Sequence, residues 1–263
     1  PEIVVALFSV LQGDPAISIG DILGSNVFNI GAVIGILGLM GYLKTCRTDH
    51  LLVELSDMLF ITALIPLLLV INQYHIYDIP SSVIGIILLA IFLVNTYLIS
   101  REITPSVKAN NGRAISTEKK ISVVATLLLS VTVVVVAARL TVYSASKIAV
   151  SLGIPSILVG AKIVSIGTSL PELTLDLTAV KRGRVQLALG DIIGSNLTNL
   201  TLVLGLVLLT SPFQVDMAIF VEILPFLLIT TIIFWRSIMR KGISKLEGLV
   251  LILTYILFQA LVM

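Results

Sequence analysis

Residues 1–36 and residues 171–206 overlie without a gap, and fourteen of the 36 paired positions are identical. The matches are Pro1, Glu2, Leu7, Val10, Gly13, Gly20, Asp21, Ile22, Gly24, Ser25, Asn26, Asn29, Val33 and Gly35 with their counterparts 170 residues on. They culminate in GDILGSN at 20–26 and GDIIGSN at 190–196. The chain is internally duplicated, so its fold must place two related segments in related environments.

Hydrophobic residues make up 57% of the chain, charged residues 12%, and the mean hydropathy is +1.11. Soluble domains carry about a quarter charged residues. A bilayer-crossing helix needs about 20 mostly apolar residues. Candidate spans cover 17–43, 51–71, 79–99, 120–143 with an extension to about 151, 155–180, 186–210, 216–235 and 246–263, with a partial span at 1–11. Lipid admits such segments only as helices that satisfy their own backbone. The expected fold class is an all-α polytopic membrane protein. A net charge of +2 gives no reason to expect nucleic acid, and the single Cys46 excludes an internal disulfide or thiolate cluster.

Connectors 44–50, 101–120, 181–184 and 236–245 hold 14 of the 17 basic residues. Connectors 12–18, 72–78, 151–155 and 211–216 hold none. The positive-inside rule makes the basic set cytoplasmic, giving a multi-pass plasma-membrane topology. The first copy of the repeat then turns outside at 12–18 and the second turns inside at 181–184. The expected arrangement is an inverted-topology repeat, as in secondary transporters that bind substrate between two halves near the midplane.

Glu2 and Glu172 each follow a proline within a span, where a carboxylate is costly unless paired or coordinated. GTSLPE at 167–172 predicts a locally unwound stretch, because proline removes a backbone donor. Asp191, Ser195 and Asn199 recur every fourth residue and share a helix face, as do Asp21, Ser25 and Asn29. Glycines 20, 24, 190 and 194 let another helix approach closely. Carboxylate, amide and hydroxyl oxygens without imidazole or thiolate suit a hard cation such as Ca²⁺ or Na⁺. Clustered carboxylates also require protons or monovalent cations when the divalent ion leaves, so competition for one site can be converted into exchange.

GTSLPE, followed by the repeated G-D-x-x-G-S-N-x-x-N, resembles the alpha repeats of the calcium/cation antiporter superfamily, especially the prokaryotic sodium/calcium exchangers. The resemblance covers essentially the whole chain. It implies ten helices in two inverted five-helix halves, with helix 1 and the start of helix 2 lying before Pro1. It divides this chain into a partial first half at 1–100, a cytoplasmic linker at 101–120 and a second half at 121–263. It implies Ca²⁺/Na⁺ antiport by alternating access, no cofactor and no enzymatic reaction. The implied ion ligands are Glu2, Ser25, Asn29, Thr168, Ser169, Glu172, Ser195 and Asn199.

Asp21, Asp176 and Asp191 depart from the commoner family pattern and stand as possible proton or secondary cation sites, which keeps H⁺/Ca²⁺ exchange as the alternative. A passive cation channel is a less favoured reading. Lys162 has three candidate roles: compensating Asp176 or Asp191, reaching toward the outside, or gating. Pro66 and Pro225 are expected to kink scaffold helices, Arg139 and Lys147 to be interfacial, and Trp235 and Tyr97 to be belt residues. His50 and His75 read as loop residues. No protein partner is required, and a monomer in the lipid bilayer is expected.

Overall fold

The computed structural model describes residues 1–44, 50–73, 79–103, 117–211 and 215–263. Among them every regular element is helical: α1 (Glu2–Leu11), α2 (Pro15–Leu39), α3 (His50–Ala63), α4 (Pro66–Gln73), α5 (Ser81–Ile103), α6 (Thr117–Leu152), α7 (Ser156–Lys181), α8 (Val185–Thr210), α9 (Met217–Met239) and α10 (Lys245–Leu261). Seven described helices are long and apolar enough to cross a membrane, counting α3 and α4 as one span at His50–Ile71. The 17 residues of α10 extend about 25 Å, close to the same reach. The chain is an all-α polytopic bundle.

The duplication is visible in the backbone. Gly13 and Gly183 both adopt positive φ, +75° and +74°. Each donates its N–H to a carbonyl three residues back, Val10 or Val180. The next residues, Asp14 and Arg184, bond to Ser9 and Ala179. Only glycine enters that left-handed conformation without strain, which accounts for its identity in both copies. Widened π-type turns also recur, at Phe28–Ile34 in α2 and Asn199–Val203 in α8. A third, at Gly160–Val164, lies in α7.

Helices α1, α2, α7 and α8 form the central layer. The first half of α2 lies on the start of α7 with backbone nearly touching backbone. A Cβ on Gly20 would stand 2.1 Å from the Ile157 carbonyl oxygen, and one on Gly24 would stand 2.2 Å from that of Ala161. The flanking helices interlock across the repeat: α3 and α5 pack on α8, whereas α9 and α10 pack on α2. The contacts of α8 with α5 and of α2 with α10 are glycine crossings, Gly205 on Gly85 and Gly35 on Gly248. Gly35 and Gly205 are themselves repeat equivalents.

Several expectations need correction. The GTSLPE stretch is not unwound: Ser165–Lys181 is continuous helix with Pro171 inside it. The irregularity falls one turn earlier, in the π-type turn. Pro66 does separate α3 from α4, but α9 runs on through Pro225 because the helix on either side supplies the remaining hydrogen bonds. Helix α6 begins at Thr117. His50 is the first residue of α3 and lies 3.1 Å from Glu54. Cys46 and His75 lie outside the described residues.

Trp235 is more than a belt residue. Its indole N–H donates to Asp57 at 2.6 Å, and its ring stacks on Phe60 at 4.9 Å, tying α9 to α3. Tyr97 remains exposed at 61%, with Arg101 over its ring.

Candidate ion-binding site

The two repeated polar stripes face inward because their intervening positions are apolar and close-packed. Ile19, Ile22 and Leu23 are fully buried around Asp21, as are Ile192 and Ile193 beside Asp191. Asp21, Ser25 and Asn29 of α2 are buried almost completely. Asp21 Oδ1 accepts hydrogen bonds from Thr168 Oγ1 at 2.9 Å and from Ser25 Oγ at 3.4 Å. The two hydroxyls lie 3.3 Å apart, and Ser25 Oγ also reaches the Ser165 carbonyl at 3.5 Å. These contacts join α2 to α7 across more than half the sequence. Toward the other side, Asn29 Nδ2 donates to Asn196 Oδ1 at 3.0 Å, joining α2 to α8.

The expected carboxylates converge electrostatically. Glu2 acts on both Asp21 and Glu172, and Asp176 feels Asp191 and Glu172. Glu2 and Asp176 are buried; Glu172, Asp191 and Ser195 are partly so. The described residues nevertheless contain no group of three carboxylate, imidazole or thiolate side chains positioned for one metal ion. The oxygens gathered along these helices are a mixture of carboxylate, hydroxyl and amide, a donor set of the kind that suits Na⁺ and Ca²⁺.

Suitable atoms are present. Glu172 Oε2, Ser169 Oγ, Asn29 Oδ1 and Asp21 Oδ2 are buried without a hydrogen-bond partner, and Asp176 is buried against Asp191. Buried polar atoms ordinarily find partners, and these oxygens on facing helices have none within the protein. Asn199 is buried in the same region with its Nδ2 unpartnered.

The site also contains contacts missed in the sequence. Asn196 lies one stripe away from the Asp191, Ser195 and Asn199 face, yet it is the residue that meets Asn29; its identity with Asn26 in the other repeat is the signal in the sequence. Thr168 was expected only as an ion ligand, yet its hydroxyl is engaged by Asp21. Lys162 meets neither Asp176 nor Asp191. Its Nζ donates to the Gln259 carbonyl at 2.8 Å, capping the last turn of α10, where Glu222 also acts on it. Cations near a helix C-terminus complement its exposed carbonyls.

The family model for sodium/calcium exchanger proteins matches residues 1–101 and 122–263. The chain belongs to this family. This exchanger-family chain is 29% identical to the inner membrane protein YrbG of Escherichia coli over 257 residues, covering 97% of this chain and 78% of that one. It is 26% identical to the sodium/calcium exchanger MaX1 of Methanosarcina acetivorans over 293 residues, covering 98% and 83%.

A solved structure of the sodium-calcium exchanger NCX_Mj, soaked without Na⁺ and Ca²⁺, superposes with TM-score 0.67 and 25% identity over 99% of this chain and 81% of that one. Native YfkE gives TM-score 0.70 at 18% identity, covering 98% and 78%, a likeness of fold. The family is one of transporters, not enzymes, and this member is a multi-pass plasma-membrane protein.

Proposed function

We propose that this family member carries out secondary active Ca²⁺/Na⁺ antiport by alternating access, with the exchanged ions competing for the oxygens between α1, α2, α7 and α8. The observation that carries the reading is the line of buried, unpartnered oxygens contributed by both repeats beside Glu2 and Glu172. The ligands are Glu2, Ser25, Asn29, Thr168, Ser169, Glu172, Ser195 and Asn199. No cofactor takes part; the ions are the substrate.

The finer architecture is two inverted halves, 1–100 and 121–263, joined by a cytoplasmic linker within 101–120. The interlocked glycine crossings and the duplicated glycine turns support it. The Gly13 turn lies beside the start of α7, where α2 is seated, and the Gly183 turn follows the end of the same helix. A helix of that length separates the turns by roughly a bilayer thickness. Segments 44–50, 101–120, 181–184 and 236–245 are cytoplasmic in this reading, and the protein acts as a monomer.

The test is Ca²⁺ flux in proteoliposomes under an imposed Na⁺ gradient. Glu172→Gln, which keeps volume but removes charge, should abolish flux while the protein elutes and melts normally. Ca²⁺ flux retained by that variant would overturn the assignment. One observation favours a second reading, H⁺/Ca²⁺ exchange: Asp176 is fully buried and hydrogen-bonded to Asp191, a pairing that two carboxyls make only with a proton between them. Na⁺-dependent flux at clamped pH separates the two.

A further inference from the structure

Helix α6 is fastened by one narrow face. Ala138, Val142, Ala145 and Ala149 are buried against Val5 of α1 and Val159 and Val164 of α7. Outside that stripe the helix is open, with Leu140 59% and Tyr143 51% exposed.

No charged residue lies between Lys120 and Arg139. At 1.5 Å per residue that interval extends about 27 Å, close to the thickness of the hydrocarbon core. Arg139 lines one groove with Leu11 and Gln12, so it stands level with the end of α1 just before the Gly13 turn. Tyr143 and Lys147 follow at four-residue steps on the same face. Lys147 Nζ sits 4.5 Å from the centre of the Tyr143 ring. Among the described residues neither Arg139 nor Lys147 forms an ion pair. A groove of about 880 Å³ opens between α6 and the end of α1, lined by Phe8, Leu11, Gln12, Val136, Leu140, Arg139 and Tyr143, with Lys147 one turn beyond it on the same helix face.

We propose that this groove binds one anionic phospholipid from the leaflet on the side of the 151–155 connector, with the phosphate held by Arg139, Lys147 adding positive charge from just beyond the groove over the Tyr143 ring, and an acyl chain along the apolar wall. Charge complementarity selects the occupant. Two unpaired basic side chains on one helix face beside the groove attract a net negative lipid, whereas a zwitterionic one brings its own repelling cation. Tyrosine at this level suits the interface, with its ring toward the chains and its hydroxyl toward water. Because α1 carries Glu2 at its other end, lipid in the groove also steadies one carboxylate of the ion site. That consequence for exchange rests on the proposed function; lipid binding does not.

The test uses the full chain, reconstituted in phosphatidylcholine with or without phosphatidylglycerol, extracted, and weighed intact by native mass spectrometry. Wild type should retain one phosphatidylglycerol, and Arg139→Gln/Lys147→Gln should lower retention about tenfold or more. Neutralising Arg240 and Lys241, on the other side, should leave retention unchanged. If the double variant fails to fold, Val136→Trp, which fills the groove and keeps both charges, should displace the lipid instead.

Equal retention of phosphatidylcholine by wild type, or undiminished retention of phosphatidylglycerol by the folded variants, overturns the proposal. Lipid retention without any Ca²⁺ flux would sink the exchange reading and leave the lipid site standing. Flux together with indifference to lipid charge would do the reverse.

Discussion

Thr168 and Asp21 illustrate how one side-chain contact can fasten two helices beside the proposed ion site. The Thr168 hydroxyl donates to a carboxylate that is 0% exposed, so removing it deprives a buried acceptor of its shortest bond. Thr168→Val should lower stability by about 1–3 kcal/mol, read as a fall in melting temperature. Adding Asp21→Asn should recover part of that loss, because the neutral amide is cheaper to bury than an unbonded carboxylate. If Thr168→Val leaves the melting temperature unchanged, the bond contributes nothing to stability. Lys162 shows the limit of reading residue types alone: a lysine near acidic residues in sequence reaches the end of α10 instead.

At the scale of elements, glycine sets how closely helices approach. A methyl group on Gly20 would meet the Ile157 backbone oxygen at 2.1 Å, and backbone cannot turn aside as a side chain can. Gly20→Ala should therefore separate α2 from α7, costing about 3 kcal/mol or more and removing Ca²⁺ flux together with thermal stability. Gly38→Ala, whose nearest obstruction is an Ile243 methyl at 3.0 Å, should cost less. Comparable melting temperatures for the two variants would refute this account of the α2–α7 contact. The π-type turns belong to this scale too. They occur in α2, α7 and α8, the long members of the central layer, and each redirects side chains without ending the helix.

For the molecule as a whole, the decisive question is orientation. Cys46 is the only cysteine and lies in a basic connector. A membrane-impermeant maleimide should label it in inside-out vesicles and not in right-side-out ones. With Cys46→Ser as background, Ser211→Cys should label in the opposite pattern. Reversal of both would place the basic connectors outside and overturn the proposed orientation. The interlocked scaffold, with first-half helices on α8 and second-half helices on α2, implies that the halves do not fold as separable units. Co-expressed fragments cut within 104–116 should each be unstable alone and recover Ca²⁺ flux only together.

The sequence by itself determined the spans, the duplication and the oxygen chemistry of the site. Hydropathy, repeat identity and residue type are local properties, and lipid leaves a hydrophobic backbone little choice but helix. The glycine turns at Gly13 and Gly183 were determined in the same way, by a conformation that other residues enter only with strain. Only the tertiary structure decided which oxygens remained free and which were already engaged. Thr168 meeting Asp21, Asn29 meeting Asn196, and Trp235 bonding Asp57 all join residues more than 140 positions apart. No spacing rule along one helix can supply such pairs, because they depend on how closely two helices approach. For Thr168 and Asp21 that distance was set by Gly20 and Gly24, where α2 crosses α7.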